Sequence, residues 1–279
     1  MRAAIFALII GLAVSAAAQS DLEKIVAAER AFAAAARERG VKAAFLDHMA
    51  NGAVLFMPDR VIGRDWWQTQ EEWDSTLAWY PEIAGVSSNG VIGYTTGPWE
   101  LCPKGGNAQP EAVGQFASIW QRQSTGEYRV ILDIGVTHPP RSTPQKEWSG
   151  AAGSTAKLAD HEAGDAAVPF YEMAGRGTLS AAYKRFAAPD IRMLREGRPP
   201  ITGSKNISDA LKDTKGRMEI NKRLAFIGTR DLAYVDGRYR RTDGGAVLET
   251  GNFLQVWQFD GKHWRIVLDV FKPLPSTSS

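Results

Sequence analysis

Hydrophobic positions recur with a helical period near the start of the chain and form strand-like runs further on. A helix is predicted near the start because a set of residues has the spacing of one helix face. The set is Leu22, Ile25, Val26, Glu29, Phe32, Ala33 and Ala36. Residues 43–49 predict a second helical piece, and residues 54–57 a short buried strand that Pro58 ends. The aromatic-rich stretch 66–80 predicts another helix. Strands follow, with hairpin turns expected at 104–107 and 242–245. Helices first and strands after predict an α+β unit.

This pattern occurs twice. Residues 92–99, 114–121 and 128–134 match residues 232–239, 251–258 and 264–270, with offsets of 140, 137 and 136 residues. Three blocks in the same order indicate an internal repeat, in which each copy is one folding unit. We therefore predict domain 1 over residues 19–136 and domain 2 over residues 158–279. The segment 137–157, rich in Pro, Ser, Gly and Thr, predicts an exposed linker.

The first eighteen residues have the three parts of a secretory signal. Arg2 supplies a positive start, residues 3–14 are an apolar run, and small residues end at Ala18. The run is too short to span a membrane, which takes about 20 residues. We expect cleavage after Ala18 and a mature protein that is periplasmic or secreted, with no membrane segment.

The composition argues against several kinds of functional site. Cys102 is the only cysteine, which excludes an intrachain disulfide and a cysteine-based zinc site. The histidines are scattered singly, so we expect no metal, and no nucleotide fingerprint suggests a cofactor. Residues 19–136 carry a net charge of −5 and residues 158–279 one of +4. This asymmetry is too small to predict nucleic-acid binding, although it favours contact between the two halves.

The repeated blocks resemble the nuclear-transport-factor-2-like (NTF2-like) superfamily, in particular its DUF4440/SnoaL-like branch. The resemblance is carried by residues 93–99 and by the closing runs 120–133 and 257–266. It implies two tandem cystatin-like cone domains, each with N-terminal helices packed on a curved, mostly antiparallel sheet. Such units commonly dimerise through their sheets, so the resemblance implies an intramolecular pseudo-dimer, with a higher oligomer left open. The superfamily spans several activities, so the fold does not decide function.

The two closing strands each contain one aspartate, Asp133 and Asp269, within otherwise apolar runs. A carboxylate lining a cone would have a raised pKa and could act as a general base. Strand alternation places Tyr128, Val130 and Leu132 on one face and Asp133 on the other. If the apolar face is the core, Asp133 is structural and pairs with an arginine at the domain interface. Both interpretations stay open, with the structural one favoured.

Candidate ligand-binding residues differ between the copies. The first copy has an aromatic set typical of an apolar pocket, and the second has arginines suited to an anion. The candidates are Trp66, Trp67, Tyr94, Trp99, Tyr234, Arg238, Tyr239 and Arg240. The ordinary alternatives are a packed core for the aromatic residues and a solvated face for the arginines.

We predict an exported tandem protein that binds a small molecule in one or both cones. One alternative is a cofactor-free lyase, isomerase or hydrolase that uses an Asp or Tyr. Another is a non-catalytic scaffold with filled cones. An open cavity containing a carboxylate of raised pKa favours catalysis, and a closed cone favours a scaffold.

Overall fold

The computed structural model describes residues 16–104, 109–140, 149–152, 158–220 and 226–275. The predicted signal segment before residue 16 and the turn at 105–107 lie outside these residues, as does most of the predicted linker. None of the helices within the described ranges is long and apolar enough to cross a membrane.

The first domain consists of the elements from α1 to β8. Their order is α1 Ala16–Arg39, α2 Val41–His48, β1 Met49–Phe56, β2 Arg60–Ile62, α3 Gly63–Thr69, β3 Ser75–Trp79, β4 Ile83–Val86, β5 Ile92–Pro103, β6 Ala112–Arg122, β7 Tyr128–Thr137 and β8 Ser149–Ala152. The sheet order is β2-β1-β7-β6-β5-β4-β8, and β3 also pairs with β5. Strand β8, which falls in the predicted linker, pairs in parallel with β4.

The second domain repeats this arrangement. Its elements are α4 Ala163–Gly175, α5 Leu179–Phe186, β9 Ala187–Arg195, β10 Arg198–Thr202, α6 Ser204–Leu211, β11 Arg217–Ile220, β12 Ile227–Gly228, β13 Leu232–Asp243, β14 Ala246–Phe259 and β15 Trp264–Pro273. The sheet order is β10-β9-β15-β14-β13-β11, and β12 pairs with β13. The predicted turn at 242–245 is confirmed, because Asp243 pairs with Ala246 around Gly244 and Gly245, both at positive φ. The predicted α+β fold class is confirmed in both halves.

The prediction of a helix over the whole of 66–80 is wrong. Helix α3 covers only Gly63–Thr69, and Ser75–Trp79 is strand β3, antiparallel to the end of β5. Leu77 and Tyr80 have helical spacing from Trp73, but the free edge of β5 supplies backbone hydrogen bonds that outweigh this short-range signal.

Three hydrophobic layers stabilise the molecule. Within each domain, the helices pack on one face of the sheet. The third layer contains residues of both sheets, including Leu132 and Ile134 from β7 and Leu268 and Val270 from β15. The sheets therefore contact each other through their outer faces. Across this contact, Nη2 of buried Arg192 donates to Oε2 of buried Glu82 at 2.7 Å.

Candidate functional site

The first domain contains an open cavity between its helices and its sheet. We call this space in each domain its cone. The cavity has a volume of about 610 Å³. Its walls are mainly aromatic, formed by Phe32, Phe45, Phe56, Trp67, Trp73, Trp79, Trp99 and Phe116. The aromatic side chains pack edge to face in several places, as Phe32 does with Phe45 and Trp79. Such packing fixes the walls and favours a pre-formed pocket.

Asp133 is the carboxylate on the sheet side of this cavity. It accepts a 2.9 Å hydrogen bond from Oγ of Ser118 on β6. The pKa of Asp133 is raised to about 7, and desolvation by its apolar surroundings is the main cause. The charge of Glu29 adds to the rise, whereas the Ser118 hydrogen bond and the charge of Lys272 oppose it. Near neutral pH the Asp133 carboxyl can therefore both accept and release a proton.

A β-bulge places Asp133 inside the cone. In the pairing of β6 with β7, Ile119 lies opposite Leu132 and the next residue, Trp120, lies opposite Val130, so Ile131 is extra. An extra residue inverts the alternation of a strand. Val130 therefore packs in the cone core and Leu132 in the layer between the sheets. The predicted common face of Tyr128, Val130 and Leu132 is wrong beyond the bulge, as is the placement of Asp133 away from the cone.

Glu29 on α1 is a fully buried carboxyl of the first domain, and we did not predict it as a functional residue. Its oxygens accept hydrogen bonds from Nε1 of Trp79 at 2.5 Å, Oγ1 of Thr95 at 2.5 Å and Nε1 of Trp120 at 3.1 Å. Burial raises the pKa of Glu29. The signal was present in the sequence, because a glutamate in the apolar series of an amphipathic helix must find partners in the core.

The second domain supplies part of the cavity mouth. Glu196, Lys272 and the chain segment 273–275 line it beside Gly135 and Thr137 of the first domain. Lys272 reaches across the boundary and donates from Nζ to the carbonyl oxygen of Phe56 at 3.1 Å. Glu196 accepts hydrogen bonds from the backbone N–H and the hydroxyl of Thr137. The site is thus shared between the domains.

The cone of the second domain is occupied by side chains. Asp269 is fully buried and forms an ion pair with Nη2 of Arg195 at 2.6 Å. It also accepts hydrogen bonds from the hydroxyl of Tyr183 and the side-chain amide of Gln255, both at 2.7 Å. The guanidinium of Arg195 lies 4.3 Å from the ring centre of Phe271. An arginine partner, which the structural interpretation predicted for Asp133 at the domain interface, is found instead for Asp269, inside the second domain.

Three substitutions between the repeats account for this difference. The strand pairs Leu55–Asp133 and Met193–Asp269 are equivalent, which aligns Met57 with Arg195. The same alignment matches Phe45 of α2 with Tyr183 of α5, and the β7–β15 equivalence matches Gly135 with Phe271. The first domain therefore lacks the cation, the hydroxyl and the ring that fill the second cone.

Of the aromatic candidates, only Trp67 and Trp99 line the cavity. Trp67 is fully buried, and its indole N–H has no hydrogen-bond partner within the described part of the chain. Trp66 packs edge-on against Trp67 outside the cavity lining. Tyr94 and Tyr234 lie in the layer between the sheets, since residues on the outer face of β5 and β13 point away from the cones.

The second-domain candidates are not brought together. Arg238 forms an ion pair with Asp59 of the first domain, and Arg240 forms one with Glu219 on the neighbouring strand; both arginines are exposed. Tyr239 lies on the opposite face of β13, where its hydroxyl donates to Glu249 at 2.5 Å and its ring packs edge-on against Phe271. Strand alternation thus separates Tyr239 from the arginines on either side of it.

The element order and the sheet topology decide the fold of each half. The chain folds as two NTF2-like domains. Among solved structures, the chain is similar to an NTF2-like protein of unknown function from Shewanella oneidensis, with 20% identity over 39% of this chain and 98% of that one and a TM-score of 0.33. A candidate ketosteroid isomerase from Parabacteroides distasonis is 11% identical over 42% of this chain and 96% of that one, with a TM-score of 0.36.

A third similar structure is a protein of unknown function with a cystatin-like fold from Nostoc punctiforme. It is 16% identical over 44% of this chain and 98% of that one, with a TM-score of 0.36. No protein-family model matches the chain, and no curated protein sequence matches it. At these identities and TM-scores the similarity carries nothing about a shared activity.

Proposed function

We propose that the first domain binds an apolar, ring-containing small molecule in its cone. The observation that carries this proposal is the open cavity of about 610 Å³, walled by aromatic side chains, with the carboxyl of Asp133 on its sheet side and that of Glu196 at its mouth. Ligand sites in proteins typically measure about 300–1,000 Å³ and combine apolar walls with a few polar groups that orient the ligand. Flat ring systems suit such walls because they stack on, or meet the edges of, tryptophan and phenylalanine rings.

Binding of 2-naphthamide, a neutral bicyclic probe, tests this proposal. We expect saturable quenching of tryptophan fluorescence and one site per chain by calorimetry. Gly135→Phe is the matched control, because it places in the first cone the ring that Phe271 places in the second. Absence of binding to the unsubstituted protein, or equal binding to Gly135→Phe, would contradict the proposal.

A second candidate function is proton transfer without a cofactor. It is favoured by the position of Asp133, a carboxyl with a pKa of about 7 that lines an apolar cavity and is held by Ser118. A general base works best when its pKa is near the working pH. Ionised Asp133 would take a proton from carbon beside a ligand carbonyl and return it, leaving an enolate in between.

Deuterium exchange into 2-tetralone, followed by NMR, tests this activity. The ketone carries an acidic C–H and fits the proposed ligand class. We expect catalysed exchange that increases as the pH rises through 7, because the ionised carboxylate is the base. Asp133→Asn should abolish the catalysed part. Exchange at the same rate with both proteins excludes Asp133 as the base and leaves the binding proposal intact.

For the second domain we propose a supporting role. Its cone is filled by Tyr183, Arg195 and Phe271, and its C-terminal strand lines the mouth of the first cone. The filled second cone is what the scaffold alternative predicts for that domain. The first cone, which is open, would bind the ligand.

We also propose that the protein is exported and begins at Gln19 after removal of its signal peptide. The support is the positive start, short apolar run and small residues of the first eighteen positions. Expression of the whole chain in a bacterium with two membranes, fractionation and N-terminal sequencing test this. A cytosolic protein that retains residues 1–18 would contradict it.

A further inference from the structure

Lys272 is a cation at the cavity mouth that uses only part of its hydrogen-bonding capacity within the described part of the chain. Its ammonium group has three N–H donors, and one of them is engaged by the carbonyl oxygen of Phe56. No carboxylate oxygen in the described ranges lies within 4.0 Å of Nζ. The side chain is half-buried, and it lines the same cavity as Asp133. A partly desolvated lysine that lacks an ion pair favours an external anion.

The neighbouring acidic groups act on Lys272 through space but form no ion pair with it. Glu196 lies at the mouth, where Thr137 donates hydrogen bonds to both of its oxygens and holds them in place. Asp133 influences Lys272 through space, without a direct ion pair. Burial lowers the pKa of Lys272, while the charges of Glu196 and Asp133 oppose this. The ammonium is therefore available to a ligand that enters the cone.

We propose that Lys272 of the second domain anchors a carboxylate carried by the ring system that occupies the first cone. The ligand is then an aromatic or polycyclic carboxylate, with its rings against the tryptophans and its carboxylate at the mouth. Below pH 7 the protonated Asp133 carboxyl can donate a hydrogen bond to the same anion. This inference rests on the proposed function and adds its ligand class, and it makes the second domain part of the binding site.

A pair of matched probes separates this inference from the proposed function. We would titrate the full chain at pH 6 with 2-naphthoate, which is ionised there, and with 2-naphthamide, its neutral counterpart of nearly the same shape. The variants are Lys272→Met, which keeps the length of the side chain but removes its charge, and Lys272→Arg, which keeps a cation. Lys262→Met removes an exposed charge of the same domain and serves as control. Thermal melting checks that each variant is folded.

We expect the unsubstituted protein to prefer naphthoate by about 10- to 100-fold, the equivalent of one hydrogen bond to a charged group. Lys272→Met should erase this preference by weakening naphthoate alone, while Lys272→Arg and Lys262→Met keep it. Equal affinity for both probes, or equal weakening of both by Lys272→Met, overturns the inference and leaves the binding proposal standing. Failure of both probes to bind the unsubstituted protein overturns both proposals.

Discussion

Asp133 and Asp269 occupy equivalent positions of the two closing strands, each two residues beyond a β-bulge, yet among the described residues only Asp269 has an arginine beside it. Arg195 lies 2.6 Å from Asp269, whereas the equivalent of this arginine in the first domain is Met57. Asp269 is therefore a neutralised part of a packed core, whereas Asp133 lines a cavity and is held by Ser118 instead of an arginine.

Asp269→Asn should destabilise the protein by about 3 kcal/mol. It removes one partner of a buried ion pair and leaves the charge of Arg195 without compensation; breaking such pairs costs about 3–5 kcal/mol. We expect a cost at the lower end of this range because the side chain of Arg195 is still 19% exposed to solvent. Urea unfolding at pH 7 measures the change. A loss below about 1 kcal/mol would show that the pair contributes little to folding.

Asp133→Asn should alter how stability depends on pH. The pKa of Asp133 is about 7 in the folded protein and about 4 in the unfolded chain, so the folded state binds more protons between these values. The unfolding free energy therefore falls as pH rises through this window. We expect the variant to match the parent near pH 4 and to exceed it above pH 7. Urea unfolding across this range tests the difference, and a constant offset would contradict it.

Gly135→Phe should close the first cone without loss of folding. A Cβ at Gly135 would lie 3.5 Å from Nε1 of Trp99, an ordinary contact, and the ring beyond it has the cavity to enter. We expect probe binding to disappear and the melting temperature to stay or rise, since cavity filling and removal of a strand glycine both favour the folded state. Gly135→Ala should keep binding. Unfolding of the alanine variant would instead indicate a backbone requirement for glycine.

The two halves, expressed separately as residues 19–152 and 158–279, should associate when mixed. Each would expose the apolar outer face of its sheet, including Leu132 and Ile134 in one half and Leu268 and Val270 in the other. We propose that this contact forms an intramolecular pseudo-dimer in the intact chain. Size-exclusion chromatography with light scattering tests it. Two monomeric halves without mutual affinity would refute the pseudo-dimer.

The sequence by itself determined the repeat and the order of helices and strands in each half. Matching blocks at near-constant offsets imply matching elements, because helical and strand periodicities are local properties. Local sequence patterns therefore predict the apolar runs of β1, β6 and β14 and the turn at Gly244. The predicted helix over 66–80 is wrong beyond α3 because the pairing of β3 with β5 is a long-range interaction that short-range periodicity does not show.

Only the tertiary structure decided which aspartate is available for chemistry. A single extra residue, Ile131, reverses the face of the closing strand, and no short-range pattern marks it. The hydrogen-bond partners of Glu29 come from β3, β5 and β6. The sequence shows only that a glutamate occupies an apolar face of α1, and it does not show which residues meet it there. Whether a cone is open depends on residues that are distant in sequence and meet in space. These are Phe45, Met57 and Gly135 in the first domain, and Tyr183, Arg195 and Phe271 in the second.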